Sequence, residues 1–577
     1  MTKPIRVALV VCVLLLVLTF HLAVAWQDFA TLARNGFLYD DSFYAFQIAR
    51  NIATGQGMTF DGIHPTNGFQ PLYVFLLVPL YVLFGGNPAH PIYIALSLLS
   101  VFTLLTAYLI YRIANRYVGR AASLFAALIW AFSPIVTRQS ANGLETALAA
   151  FMIAVSIFYY LERVRSAESP NGERFLALGL LLGLAALTRI DSLLLVLVIL
   201  LDYLLMLRRK PVPFTFLRRL SFLPLGVILV YGPWFVFSVV ASGSPLQDSG
   251  AATRYISLAY APYFGYGVAS LNTEGPDPAF VWAHVMHSFA VLKVTPPLHV
   301  VFRSFEKLGI WFGGKEGFHL AGNLLGFLML IGASMVVLRW RKQERKRRRG
   351  EISFLILFSA ILIISYSLYI FGAFFFLRYY YPIYLVACIY LAFLIQDFID
   401  WLSRRSLLFR RAALVGLGIY AATFSYFSYS QAFRSRPIYP FYDIAKWVDI
   451  NTYDSEKIGV FQCGAIGYLS HREVINLDGK VNRDALEALK KGCLGEYVQE
   501  EGIDVVIDNA SVIDLLLGPA CKKMADSSTR IQWSASGKGP GWVAVRLHPA
   551  KNRDTAEALK GSSTAASVAP SLPSSKR

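Results

Sequence analysis

The stretch GFLYDDSFYAFQIARNIATGQGMTFDGIHPTNGFQPLY, residues 36–73, decides how the rest of the chain is read. It follows a first apolar run and sets Asp40 beside Asp41, then an aromatic-flanked helical segment, then a loop rich in Gly, His, Asn and Pro. A polar loop inside an otherwise apolar chain is a common carrier of chemistry.

The sequence on either side is apolar. Of 577 residues, 56% are hydrophobic and only 16% charged, and the mean hydropathy is +0.50. That composition belongs to a protein crossing a membrane many times, not to a soluble domain. The formal net charge of +18 does not indicate nucleic acid. Lys and Arg sit in short connectors between apolar runs, most densely in RKQERKRRRG at 341–350, as topology signals do. The five cysteines lack metal-ligand spacing.

Apolar runs of spanning length fall at 7–26, 91–111, 119–137, 144–161, 175–188, 191–207, 220–241, 320–339, 352–373, 380–399 and 411–430. The first, preceded by Lys3 and Arg6 and ending in HLAVAW, has features of a signal peptide; its length and the runs that follow favour a retained anchor. With the N-terminus cytoplasmic, five basic groups should lie inside. They are Arg112, Arg116 and Arg120; Arg163, Arg165 and Arg174; Arg208, Arg209 and Lys210 with Arg218 and Arg219; the 341–350 cluster; and Arg404, Arg405, Arg410 and Arg411. All do so only if PLYVFLLVPLYVLF, residues 71–84, does not cross. That run is short and contains Pro79, so a re-entrant or interfacial segment is expected.

The same parity gathers on the outer face the first loop (27–70), NGLET at 142–146, TRID at 188–191, the loop 242–319, LRYYYPIY at 377–384 and everything after 430. Snorkelling would explain Glu145, Arg189 or Arg378 taken singly. Convergence of polar patches on one face favours a site, because an ionisable group costs about 2.5–3.5 kcal/mol at the bilayer centre.

The loop 242–319 is long enough to form a cap. Its segment AFVWAHVMHSFAVLKV, with Trp282, reads as an interfacial helix. His284 and His287 within it lack a third ligand for a metal, and Asp248 and Arg254 stand nearer the membrane. Residues 431–548 read as a small α/β domain, with strands at KIGVFQC, EVINLD and IDVVID and helices at YDIAKWVDI, DALEALKK and GEYVQEE. GAIGY at 464–468 reads as a turn without GxGxxG spacing, which argues against a nucleotide site. A disulfide among Cys463, Cys493 and Cys521 is permitted there, its pairing open. The Ser, Ala and Pro-rich tail, 549–577, is expected to be disordered.

These residues resemble the GT-C superfamily of integral-membrane glycosyltransferases, which take sugars from polyprenyl-phosphate carriers. DDSFYAFQIARNIATGQG followed by TNGFQPLY looks like the loop those enzymes place after their first span. NGLET is similar to the GLET element of the mycobacterial cell-wall arabinofuranosyltransferases and their relatives, LTRID to the family's Thr-Arg element, and GAIGYLSHREVINLDGKVN to the soluble domains of that subgroup. The likeness covers nearly the whole chain. Phe69 and Gln70 before Pro71 depart from the shorter Tyr-(Thr or Ser)-Asn-Pro-Leu-Trp form, so the subgroup's sugar is not carried over. The basic residue expected after the Pro-containing turn of the 242–254 segment corresponds to Arg254.

The resemblance implies a polytopic α-helical GT-C-like fold of about eleven spans plus one re-entrant segment, carrying an extracytoplasmic α/β domain. The implied activity is sugar transfer from a polyprenyl-phosphate donor to a hydroxyl of a cell-envelope glycan, lipid or protein, at the outer face of the plasma membrane. It also implies that an acid of the first loop, Asp40 or Asp41, is the general base. Physical chemistry agrees: the acceptor proton needs a base and the departing phosphate needs cations, and repulsion between adjacent carboxylates raises one pKa. Asp40 is better placed as an N-cap of the following helix, which favours Asp41 as the base. Arg189 and Arg378 are candidates for the phosphate. Glu145, His64, Asn67 and Gln70 would orient hydroxyls, with Tyr44, Tyr379, Tyr380 and Tyr381 as stacking surfaces. No motif calls for a cofactor, and a divalent cation is left open. A transporter or flippase of a lipid-linked substrate is the alternative, but broken helices, midplane charges and internal repeats are not evident.

Overall fold

The computed structural model describes residues 3–167, 169–207, 214–259, 352–368, 377–404, 406–434, 439–510, 512–513, 531–533 and 542–547. The apolar runs expected within these residues are helical over most of their described length. The chain begins with α1 (Lys3–Ala25), the short α2 (Phe29–Arg34) and α3 (Asp40–Ala53). After a loop come α4 (Pro71–Phe84) and α5 (Ala89–Ala114). Among the described residues, four helices are long and apolar enough to cross a membrane: Ala89–Ala114, Thr146–Arg165, Leu217–Ser242 and Arg378–Ser403. The expected runs at 320–339, most of the 242–319 cap with His284 and His287, and the 549–577 tail lie outside the described residues.

The run at 119–137 is not one straight span. It divides into α6 (Arg120–Ala131) and α7 (Pro134–Ser140), bent by 55° at the break. Pro134 removes a backbone donor and drives Ser133 into extended backbone, with ψ 132°, so the helix must restart there. The second half carries the chain toward the first loop.

The short run at 71–84 is a single helix of 14 residues with Pro71 in its first turn. At 1.5 Å per residue it is about 21 Å long, less than a hydrocarbon core of about 30 Å. It buries Tyr73, Val74 and Leu77 and turns Phe75, Leu76, Val82 and Leu83 outward.

The C-terminal residues form a five-stranded sheet in the order β2-β1-β3-β5-β4. The strands are β1 (Lys457–Val460), β2 (Glu473–Asn476), β3 (Val505–Asn509), β4 (Ile531–Trp533) and β5 (Trp542–Arg546). The first three are mutually parallel and the last two antiparallel. GAIGY is not a turn: it belongs to a short helix, Gly464–Leu469, which follows β1.

This sheet domain is packed onto the first loop through one continuous apolar core. Phe43, Phe46 and Phe60 join Val460, Ala465, Ile466 and Tyr468 in it. Polar contacts pin the seam: Tyr81 donates to the Tyr468 hydroxyl at 2.9 Å, the Arg50 guanidinium lies 4.7 Å from the Tyr468 ring, and Arg34 pairs with Asp443. Cys463 and Cys493 are both free thiols, so they form no disulfide with each other; Cys521 lies outside the described residues.

Candidate active site

Between the sheet domain and the helical bundle lies a cavity of about 650 Å³, within the range typical of ligand sites. Its walls come from both sides. The bundle supplies Asp40, Asp41, Tyr44, Gln70, Glu145, Arg189, Asp191, Gln247, Arg254, Arg378 and Tyr379. The sheet domain supplies Gln462, Asp478, Lys480 and Asp508.

Asp40 and Asp41 open α3, yet Asp40 does not cap it. The residue at the N-cap is Tyr39, with no side-chain cap bond. Asp40 instead accepts the backbone N–H of Ala465 at 2.8 Å and of Gly464 at 3.3 Å, capping the helix Gly464–Leu469 of the other domain. A Cβ at Gly464 would stand 2.2 Å from the Asp40 carbonyl oxygen, so only glycine permits the approach. Asp41 faces the cavity. One of its oxygens accepts Arg378 Nη2 at 2.7 Å, and the other lies 3.6 Å from Lys480 Nζ.

The two acids are driven apart electrostatically. Burial, opposed by the Ala465 amide and reinforced by the Asp41 charge, pushes the Asp40 carboxyl up to about 7. Burial acts on Asp41 in the same sense, but Lys480 and Arg378 outweigh it and hold its carboxyl well below the usual carboxylate range. Lys480 is in turn kept protonated: Asp478 and Asp41 overcome the effect of its burial.

Arg189 is already saturated by carboxylates. Its Nη1 donates to Glu145 at 2.8 Å, and its Nε and Nη2 donate to Asp191 at 3.1 and 3.0 Å. Tyr366 completes the cluster by donating to Asp191 at 2.7 Å. Arg189 and Glu145, expected from the sequence as phosphate and hydroxyl contacts, thus both line the cavity as members of one ion-paired cluster. Tyr379 lies between the two arginines, with Arg189 and Arg378 at 5.6 and 5.5 Å from its ring.

Other expected site residues lie elsewhere. His64 bonds Asp61 at 2.7 Å and approaches Glu501 at 3.5 Å, outside the cavity lining. Asn67 is fully buried, donating to Ser242 and accepting from the Asp248 backbone, and so fixes one loop to another. Tyr381 is 1% exposed and packs on Trp130 at 5.0 Å, while Tyr380 is likewise buried; neither lines the cavity. Tyr44 does line it, but its hydroxyl donates to Phe461 O and accepts the Cys463 N–H, bracing the seam. Gln70 and Arg254 line the cavity, Gln70 accepting from Gln247 at 3.4 Å.

Gln462, Asp478, Lys480 and Asp508 were not among the expected residues. They stand at the carboxyl ends of β1, β2 and β3, where parallel sheets place their ligand sites. Asp508 accepts the Phe461 N–H at 3.1 Å, and burial pushes its carboxyl up to about 7. Among the described residues, no group of three or more His, Cys, Asp and Glu is disposed to hold a metal. The two cations beside Asp41 oppose a third there, so the acidic pair does not fit the divalent ion left open above.

Comparison with known proteins agrees with this architecture. The family model described as dolichyl-phosphate-mannose-protein mannosyltransferase matches residues 64–237. A domain family of unknown function matches residues 425–555. No curated protein matches by sequence. ArnT from Cupriavidus metallidurans, solved in the apo state, is similar at 15% identity, over 94% of this chain and 98% of that one, with a TM-score of 0.47. The oligosaccharyltransferase AglB of Archaeoglobus fulgidus, solved with an inhibitory peptide and a dolichol-phosphate, gives a TM-score of 0.51 at 14% identity, over 93% of this chain and 74% of that one. The same archaeal enzyme tethered to an acceptor peptide gives 0.52 at 13% identity, with the same coverage. The fold of this chain is therefore that seen in AglB.

Proposed function

We propose that this protein transfers a sugar from a polyprenyl-phosphate donor to a hydroxyl acceptor at the outer face of the membrane. The observation that carries the reading is Asp41, a carboxylate facing the cavity with Arg378 on one oxygen and Lys480 near the other. The match to mannosyltransferases over 64–237 and the fold shared with AglB support the reaction class.

The roles follow from geometry before pKa. Both Asp40 oxygens are occupied by backbone N–H groups, so it holds the seam. Asp41 has a side chain 29% accessible and is the acid able to meet an acceptor hydroxyl. At rest, its paired cations make it a weak base. A donor phosphate that draws Arg378 away removes part of that restraint, and the Asp41 carboxylate becomes basic enough to take the acceptor proton as the sugar–phosphate bond breaks. The proton ends on Asp41 and the negative charge on the departing lipid phosphate, against the guanidinium. The acceptor is a hydroxyl of a cell-envelope glycan, lipid or protein, with Gln70 and Arg254 of the cavity wall available to it. The N-terminus lies in the cytoplasm and the sheet domain outside.

Purified protein supplied with polyprenyl-phosphate sugars and cell-envelope acceptors should form a glycosylated product, and Asp41→Asn should abolish it. Full transfer by Asp40→Asn, Asp41→Asn and the double variant would remove the catalytic assignment.

A further inference from the structure

Arg378 alone is one cation for a phosphate that leaves carrying more than one charge, and Arg189 is neutralised by Glu145 and Asp191. The next half-buried cation on the cavity wall comes from the other domain. Lys480 follows β2 in the turn Asp478-Gly479-Lys480, and its backbone N–H donates to Asp478 Oδ1 at 2.9 Å. Its ammonium lies 3.1 Å from Asp478 Oδ2 and 3.6 Å from Asp41 Oδ1. The second distance is an ion-pair contact longer than a hydrogen bond. An ammonium has three donors, so Lys480 retains capacity for an anionic oxygen in the cavity.

Its position is fixed independently of its charge. A Cβ on Gly68 would lie 1.9 Å from the Lys480 carbonyl oxygen, so the 66–70 loop and this turn meet backbone to backbone. The Tyr44 ring lies 5.9 Å from the ammonium. Lys480 and Arg378 thus address the two oxygens of a single carboxylate, Asp41. A phosphate offers the same arrangement of two oxygens, and it gains charge as the sugar leaves.

We propose that Lys480, supplied by the sheet domain, is the second cation of the lipid-phosphate site and binds the donor's phosphate jointly with Arg378. The sheet domain is then part of the reacting centre, and phosphate entry releases Asp41 from both cations together. This rests on the proposed function above.

The test measures binding of undecaprenyl phosphate, with undecaprenol as the uncharged control, to the purified full-length chain. Lys480→Met should weaken undecaprenyl phosphate about ten- to hundredfold, the loss of one charge-assisted hydrogen bond, and leave undecaprenol unchanged. Asp478→Asn keeps the Oδ1 acceptor of the turn and frees the ammonium, so it should bind the phosphate more tightly than wild type. Unchanged phosphate affinity in a folded Lys480→Met protein overturns the assignment. So does unchanged or weaker affinity in Asp478→Asn, which decides the matter should the Met variant not fold. No sugar transfer is read, so the two proposals fail separately. A chain that binds the phosphate through Lys480 but transfers no sugar refutes only the enzyme, and an active enzyme whose phosphate affinity ignores Lys480 refutes only this site.

Discussion

Asp40 caps the backbone N–H groups of Gly464, 424 positions along the chain, and of Ala465. Adjacent acids therefore do different work: one holds two domains together, and its neighbour faces the cavity. Asp40→Ala should lower stability by about 0.5–2 kcal/mol, the usual worth of a cap. Gly464→Ala should be worse, because its Cβ would collide with the Asp40 backbone at 2.2 Å. Thermal unfolding in detergent and protease resistance of the sheet domain read both; wild-type behaviour in the pair would refute the docking role.

Asp41→Asn should keep the fold and lose transfer by ~10²–10⁴-fold, the contribution of a positioned base. Asp40→Asn, which retains an acceptor oxygen for Ala465, should lose less. The rates of the two variants, measured under saturating donor, rank the acids; the reverse order would make Asp40 the base.

The pH dependence separates them again. Asp40 moves from 3.8 in the unfolded chain to about 7 in the folded one. The folded state thus binds the extra proton between those values, and the wild type should lose stability as pH rises from about 4 to about 7, levelling above that. Asp41 acts oppositely: its depressed pKa contributes stability above the unfolded value of 3.8 that is lost in stronger acid. The melting temperature of wild type relative to Asp40→Asn should fall as pH rises from about 4 to about 7 and level above that; a pH-independent difference would mean Asp40 does not titrate there.

Arg189→Ala leaves Glu145 and Asp191 buried without their cation, a loss of about 3–5 kcal/mol. Arg189→Lys should rescue little of it, because one ammonium cannot reproduce a fork that contacts both acids. Unfolding in detergent reads the series, and a fully stable Lys variant would show that charge alone suffices.

Tyr381→Phe removes a hydroxyl that is buried against Trp130 without a hydrogen-bond partner among the described residues. Stability should stay within about 1 kcal/mol of wild type or rise, since no bond is lost, and transfer should be unaffected. A large drop in transfer with an intact fold would return Tyr381 to the substrate site.

The helical scaffold was legible because spanning segments must be continuous and apolar, and the first loop stood out against them. The break at Ser133 and Pro134 was written in the proline, but apolar residues on both sides hid it inside one run. Asp40 and Asp41 were identifiable as a pair, whereas their division of labour was not, since Asp40's partners lie in a helix that local pattern reads as a turn. His64 and Asn67 carried the right chemistry in the right loop, yet they bond to their neighbours and neither lines the cavity. Lys480 looks in sequence like any lysine in a polar turn. Its place at the carboxyl end of a parallel strand was the available signal, legible once β1, β2 and β3 were seen to be neighbours.

The cap that Asp40 places on Gly464 also ties the cavity to the order in which the chain is made. A chain made from its N-terminus carries its acidic pair long before the strands of the sheet domain exist to fold. Until that sheet forms and settles onto the first loop, the cavity has no roof and Asp41 has only Arg378 beside it. On the proposed function, a copy still being inserted would be silent, and the settling of the sheet onto the first loop would complete the site.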